Sequence, residues 1–418
     1  MSLIISFITL IILLFLSLKQ FKKVIGISVV SIFLLSFSFY QILPIILFNL
    51  GGYPIGTTFL SEKTLIKAYF FSIIGLASFF LGFLTPFKFI KKYKLRNISN
   101  KTKNISLLIF FIGLMLFFSG IFLLDIEKNF NKNFITVGIF MIIGSTLIFF
   151  YWMLLKTKSN IRDKIVFVFL FIFSFSLLLE TGNRRMVLGF ILFMIQLYLL
   201  QKKKKVRGTY LLLFIPITLF SIILIRAFRT ALLEENDLFN MTIYYFKIGF
   251  SDIRFFSSAI DSPTCFFFFG RILEEVPHHV PYIYWRSYYR VFYFIIPRSF
   301  WPDKPLKLTQ TLGTTFWPSF TSSTGATLVG ESFYNFGLVG IVIVFFLWGL
   351  IVKQLESKIK LKDPNLNMNE IFLISFFTAW IPDIFRGGGF SSSFSGQILT
   401  FGLPLLILLF FSLLPSKN

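Results

Sequence analysis

Cysteine is almost missing from this chain: Cys265 stands alone, which excludes an intrachain disulfide and any cysteine metal cluster. Histidine is nearly as scarce. His278 and His279 are adjacent and have no third partner, so a metal site would need carboxylates to complete it, and none is expected. Acids are few, 18 Asp and Glu against 41 Lys and Arg. No Walker motif, G-x-S-x-G elbow or dinucleotide fingerprint occurs, so no cofactor is expected. No basic segment precedes the first apolar run at Leu3, and no cleavable signal peptide is expected. What the chain has in abundance is apolar length. Hydrophobic residues make up 56% of it, and Phe alone supplies 62 positions, read here as lipid-facing bulk. A soluble domain sits nearer about 45–50% apolar, so the solvent implied is a bilayer. The net charge of +23 would suit a nucleic-acid binder, but nearly all the excess falls in short loops between apolar runs. No nucleic-acid partner is expected.

Apolar runs fall at 3–18, 24–48, 66–87, 105–124, 134–155, 165–179, 187–201, 209–228, 336–352, 370–385 and 397–414. Most approach the ~20 residues that cross a hydrocarbon core, so about eleven transmembrane helices are expected. Lysine occupies alternate connections: Lys19 to Lys23, Lys88 to Lys103, Lys156 to Lys164, Lys202 to Arg207, Lys353 to Lys362, and Lys417. Placing these in the cytoplasm puts the N-terminus outside and the C-terminus inside. Among the arginines only Arg96, Arg162 and Arg207 fall on that side; the rest lie outside or at the outer boundary. Topology needs positive charge of either kind, so it does not explain outward arginine. A guanidinium binds phosphate oxygens in a bidentate way and stays charged when partly desolvated, which suggests an external anion site. Balancing external acids and lipid headgroups is the competing explanation.

The sixth and seventh runs are short for a span, and Glu180-Thr-Gly-Asn-Arg184-Arg185 joins them, so these charges are candidates for a site drawn below the surface. Arg226 and Arg229, three apart at the end of the eighth run, share one helix face and suit a pyrophosphate or lipid phosphates. Residues 234–335 then form one long external loop, rich in aromatics and expected to be ordered. Within it, Arg286 and Arg290 are four apart in Tyr282-Ile-Tyr-Trp-Arg-Ser-Tyr-Tyr-Arg-Val-Phe-Tyr, read as an amphipathic interfacial helix. The apolar piece Phe266 to Phe269 is too short to span and either dips into the membrane or packs on the bundle. Asp125 and Glu127 space two external acids, a weak metal-glycosyltransferase pattern for which an ordinary solvated loop is favoured.

Four stretches carry a resemblance. They are Glu180-Thr-Gly-Asn-Arg184-Arg185; Phe294-Ile-Ile-Pro297-Arg298-Ser-Phe-Trp301-Pro302-Asp303-Lys304-Pro305; Ala326-Thr-Leu-Val-Gly330-Glu331-Ser-Phe-Tyr-Asn-Phe-Gly337; and Arg386-Gly-Gly-Gly. In content, order and topology the chain resembles the Wzy-type O-antigen polymerases, the oligosaccharide repeat unit polymerases that include enterobacterial common antigen polymerase-like proteins. The resemblance implies a glycosyltransferase of the GT-C-type fold in the bacterial inner membrane. It implies polymerisation of undecaprenyl-pyrophosphate-linked repeat units into O-antigen at the periplasmic face, without nucleotide sugars. Partners would be that lipid-linked glycan, membrane lipids and a polysaccharide chain-length regulator. An O-antigen ligase and a lipid-linked oligosaccharide flippase are the alternatives; no internal repeat supports the flippase.

The expected organisation is therefore all-α and polytopic: an eight-helix bundle over 1–233, the large periplasmic loop over 234–335, and three C-terminal helices over 336–418. Arg286, Arg290, Arg298 and Glu331 are the candidate catalytic residues, arginines for the leaving pyrophosphate and Glu331 as base ahead of Asp303 or His279. Arg184, Arg185, Arg226, Arg229, Trp301, Asp303, Lys304 and Arg386 are candidates for substrate binding, with Trp301 stacking a sugar ring. If arginines do this work, no metal is required.

Overall fold

The computed structural model describes residues 2–21, 23–55, 57–86, 101–122, 128–156, 160–180, 184–206, 220, 223–224, 226–228, 230–231, 237–260, 262–293, 296, 300–316, 325–360, 366–386, 390 and 393. Among the described residues the regular structure is helical, with isolated backbone bridges and no strand. Among the described residues six helical stretches are long and apolar enough to cross a membrane: Leu3–Phe21, Val29–Asn49, Glu62–Leu84, Thr102–Ile121, Ile135–Leu155 and Thr327–Lys358. The chain is a polytopic membrane protein. It divides into two compact units, one of residues 1–89, 205–360 and 381–393, the other of 90–204, 361–380 and 394–418.

In the first unit, α1 (Ser2–Phe21) is followed by α2 (Val29–Phe37), a π-helical turn (Ser38–Ile42) and α3 (Leu43–Asn49). The second apolar run thus begins its helix at Val29, five residues later than its hydropathy suggests, because Ser28 caps it by accepting from the Ser31 amide at 3.1 Å. Buried Glu356 completes the cap: its carboxylate accepts from the Ser28 hydroxyl at 2.7 Å and the Val29 amide at 2.8 Å. A negative charge facing free amides at a helix N-terminus is the electrostatically favoured arrangement.

The long helices α4 (Glu62–Leu84) and, further along the chain, Thr327–Lys358 pack along each other. Glycine makes the approach possible: a Cβ at Gly82 would strike the Phe346 carbonyl, and one at Gly349 the Phe79 carbonyl. Apolar tails solvate both helices equally well, so close backbone packing, rather than burial from water, drives such pairs. Phe33 stacks on Phe79 with ring centroids 3.8 Å apart, extending the contact to α2.

The loop expected to be ordered is helical over much of its length: α9 (Leu238–Ser251), α10 (Ile253–Ile260), α11 (Ser262–Glu275), α12 (Arg286–Tyr289) and α13 (Leu308–Phe316). Phe266 to Phe269 lie in α11 and are buried, packed on the bundle against α3, α4 and Thr327–Lys358. That last helix is α14, and it is broken at Phe336–Gly337, where Gly337 has φ +62°.

In the second unit are α5 (Lys101–Phe122), α6 (Lys128–Leu155), α7 (Ile161–Glu180), α8 (Arg184–Gln201) and the start of α15 (Met368–Arg386), whose last turns belong to the first unit. Asp163 ties three helix ends here, accepting from Lys103 at 2.8 Å and Lys156 at 3.2 Å. Thr146 and Ser174 hydroxyls share a hydrogen bond of 2.7 Å between α6 and α7, which satisfies two polar groups in an apolar setting. The acids Asp125 and Glu127 lie outside the described residues.

Candidate functional site

The first ten residues of α14 form the floor of the candidate site. Glu331 and Asn335 are four apart and therefore share a helix face, with Ser332 beside them; all three are buried. The Glu331 carboxylate accepts from the Phe390 backbone N–H, at 2.8 Å to Oε1 and 2.9 Å to Oε2. In sequence Phe390 follows directly on Arg386-Gly-Gly-Gly, so one carboxylate anchors the residue after that motif to the start of α14. Asn335 Nδ2 donates to the Glu331 carbonyl and to Ser287 Oγ, both at 2.8 Å. The Tyr288 and Ser332 hydroxyls lie 3.4 Å apart.

The helix break at Gly337 has a use. A straight α-helix would commit the Tyr334 carbonyl to an amide four residues on; here it accepts from the Ile283 N–H at 3.0 Å and holds the Tyr282–Tyr293 stretch against α14. That stretch is not the continuous amphipathic helix its spacing predicts. Tyr284 and Trp285 have φ of +30° and +51°, which no right-handed helix accommodates, so helix is confined to Arg286–Tyr289 and a 3-10 turn over Arg290–Phe292. Arg286 is exposed and Arg290 is buried, with 8% of its surface accessible.

Burial, and after it the charge of Glu331, pushes the Tyr288 phenol well above its usual pKa, so it remains a proton donor throughout the physiological range. Burial also raises the Tyr293 phenol, followed by Tyr289, while Arg290 and Arg286 pull it down. Both guanidinium groups therefore act on the space around Tyr293. Trp301 packs on that ring at 5.2 Å between centroids, and Lys304 Nζ lies 5.8 Å from its centroid while donating to the Ile296 carbonyl at 2.7 Å. A turn closed by the Lys304 amide on the Trp301 carbonyl, 3.1 Å, fixes this segment, and Asp303 is exposed on it.

The structure thus brings Arg286, Arg290, Trp301, Lys304 and Glu331 into one connected arrangement, with Arg386 four residues before the Phe390 anchor. Arg184 and Arg185 open α8 in the other unit, and their side chains lie outside the described residues. Arg229 and Arg298 also lie outside them. Arg226 sits half-buried in a helical turn where the Thr230 hydroxyl donates to its carbonyl at 3.0 Å. His279 Nδ1 is 3.0 Å from Glu275, which also takes Arg271, so this candidate base belongs to a charged cluster at the C-terminal end of α11. Ser287, Tyr288, Ser332 and Asn335 were not read from the sequence as site residues. The four-residue spacing of Glu331 and Asn335 was the available signal.

The family model for O-antigen polysaccharide polymerase Wzy matches residues 1–418, the whole length. The chain belongs to the Wzy family. No curated protein and no solved structure matches it. Wzy polymerases act on lipid-linked oligosaccharide repeat units in membranes, which fits a helical, apolar chain with a compact polar site near the end of one long span. A Wzy enzyme is a polymerising glycosyltransferase, so its site must accommodate a leaving group, an attacking hydroxyl and two glycans.

Proposed function

We propose that this Wzy protein polymerises undecaprenyl-pyrophosphate-linked repeat units at the periplasmic face of the inner membrane, through about eleven spans of GT-C-type arrangement. The observation that carries the reading is the linkage of buried Glu331, through Asn335, which donates to its backbone carbonyl and to Ser287 Oγ, to the segment bearing Arg286 and Arg290. In the reaction an acceptor hydroxyl at the non-reducing end of a new unit attacks the anomeric carbon of the growing chain. The carbon–oxygen bond to the pyrophosphate breaks, the pyrophosphate leaves as an anion, and the hydroxyl proton passes to a base.

Arg286 and Arg290 stabilise the developing pyrophosphate charge, with Lys304 held nearby on Tyr293, and Arg298, Arg226, Arg229 and Arg386 as further phosphate contacts. Fixed cations in a site of low dielectric need no reorganisation as charge develops, and no metal is then required. Glu331 is the base, its carboxylate oriented by Phe390 N–H until the acceptor takes that amide's place. Trp301 and Asp303 meet the glycan. A chain-length regulator is the expected protein partner.

The test is surface glycan length on a gel, with the gene deleted and restored. Collapse of the ladder to a single repeat on core, recovered by complementation, is the expected result. An unchanged ladder overturns the reading, and loss of even the single capped unit transfers it to a ligase or a flippase.

A further inference from the structure

The strained corner before Arg286 is unexplained by folding alone. Tyr284 and Trp285 are consecutive non-glycine residues in the left-handed region. Each such conformation costs on the order of 1–3 kcal/mol and persists only where surrounding contacts force it. The forcing contacts are present: the Ile283 amide on the Tyr334 carbonyl, the Trp285 ring edge-to-face with Phe336 at 4.6 Å, and Tyr284 on the same Phe336 at 6.2 Å. Phe336 is itself one of the two residues at the α14 break. Yet the strain buries neither ring. Tyr284 is 61% exposed and Trp285 is 62% exposed. A corner strained to fill a core would hide its side chains; this one presents them, immediately before an exposed guanidinium.

We infer that Trp285, flanked by Tyr284, is a stacking platform for the sugar ring nearest the pyrophosphate of the lipid-linked glycan. The inference rests on the polymerase reading and deepens it. A flat, rigid ring offers large contact area at little conformational cost. A sugar ring presents an axial face of C–H groups that suits the electron-rich indole face, while its attached phosphates suit Arg286. Ring and cation on adjacent residues match the one position in the substrate where sugar and phosphate are directly bonded. Phe336 and Tyr288, the latter 6.5 Å from Trp285 between centroids, pack on the indole, whose exposure leaves much of the ring accessible. The competing role for an exposed aromatic in a membrane protein is anchorage among lipid headgroups, and the test separates the two.

Trp285→Phe keeps a flat ring; Trp285→Leu keeps the apolar bulk an interfacial anchor needs and removes the ring. Both are expressed in the deletion strain, with glycan length normalised to protein in the membrane. Complementation by the natural chain is scored first: if it restores no ladder, the polymerase reading fails. Where it does, Trp285→Phe is expected to keep a ladder clearly longer than that of Trp285→Leu, which is short. In parallel, the glycan released from the strain's lipid-linked repeat unit as its sugar phosphate is titrated onto each purified protein. About tenfold weaker binding to Trp285→Leu is expected, the scale of one aromatic contact. A natural ladder from Trp285→Leu, or equal binding by both variants, overturns the inference, as does a loss confined to the amount of inserted protein. If Trp285→Leu does not insert, Trp285→Phe decides by binding: retention of natural affinity supports a ring platform, and loss of binding overturns it.

Discussion

Arg286 and Arg290 differ in what their removal should do, although they stand one turn apart. Arg286 is exposed, so Arg286→Ala removes a cation and little packing; the amount of membrane protein should stay natural while chain synthesis falls about 10²-fold or more, the range for losing one fixed transition-state donor. Arg286→Lys keeps the charge and loses the bidentate fork, and should recover only part of the activity. Arg290 is buried, so Arg290→Ala should also lower the amount of inserted protein. Long natural chains from inserted Arg286→Ala protein would remove that residue from the mechanism. Glu331→Gln is the matching probe of the carboxylate. Its amide oxygen can still accept from the Phe390 N–H, so the anchor survives while the base is lost. Synthesis should fall about 10²–10⁴-fold at unchanged membrane level, the contribution of a positioned base; activity near natural would leave Glu331 a purely architectural role. The sequence pointed to both residues because arginine outside and a carboxylate at a span mouth are chemically conspicuous. It did not reveal their linkage, since Asn335 and Ser287 are ordinary small polar residues whose contact spans 48 positions.

At the scale of elements, six of the apolar runs were legible as span-length helices among the described residues, because hydrocarbon thickness imposes a length that composition records. Helix breaks were less so. Gly337 is one of many glycines in spans, and only its φ of +62° singles it out. Tyr284 and Trp285 carry no compositional mark at all, which is why the stretch around them reads as a longer helix than it forms. Gly337, with φ +62° and ψ −146°, sits in a backbone region essentially reserved for glycine, so alanine there should cost about 1–3 kcal/mol, and its methyl would also press on the Tyr282 hydroxyl 3.0 Å away. Gly337→Ala should therefore loosen the Tyr282–Tyr293 stretch and shorten the glycan ladder more than it lowers the amount of protein. Gly82→Val should show the opposite balance. Its side chain meets the Phe346 carbonyl and pushes α4 from α14, an overpacking penalty of about 1–3 kcal/mol. Faster thermal inactivation of detergent-solubilised protein is the expected result, and natural inactivation would mean that the helices separate without penalty.

At the scale of the whole molecule, the charge distribution predicts a side for the lysine-rich connections and for the long loop, and the scarcity of cysteine makes that prediction easy to test. Cys265 is buried, so the natural chain should resist a membrane-impermeant maleimide, and Cys265→Ser should serve as an unreactive background. On that background Asp303→Cys places a thiol on an exposed turn of the long loop, and Lys204→Cys places one in the lysine-rich connection after α8. The positive-inside rule puts the first outside and the second in the cytoplasm. In intact cells with a permeabilised outer membrane, Asp303→Cys should label and Lys204→Cys should not; after the inner membrane is opened, both should. The proposed site follows the fate of Asp303, because the Trp301–Lys304 turn packs on Tyr293 beside Arg286 and Arg290. Labelling of Lys204→Cys alone in intact cells would invert the topology and place that site in the cytoplasm, on the opposite face from the one proposed for polymerisation.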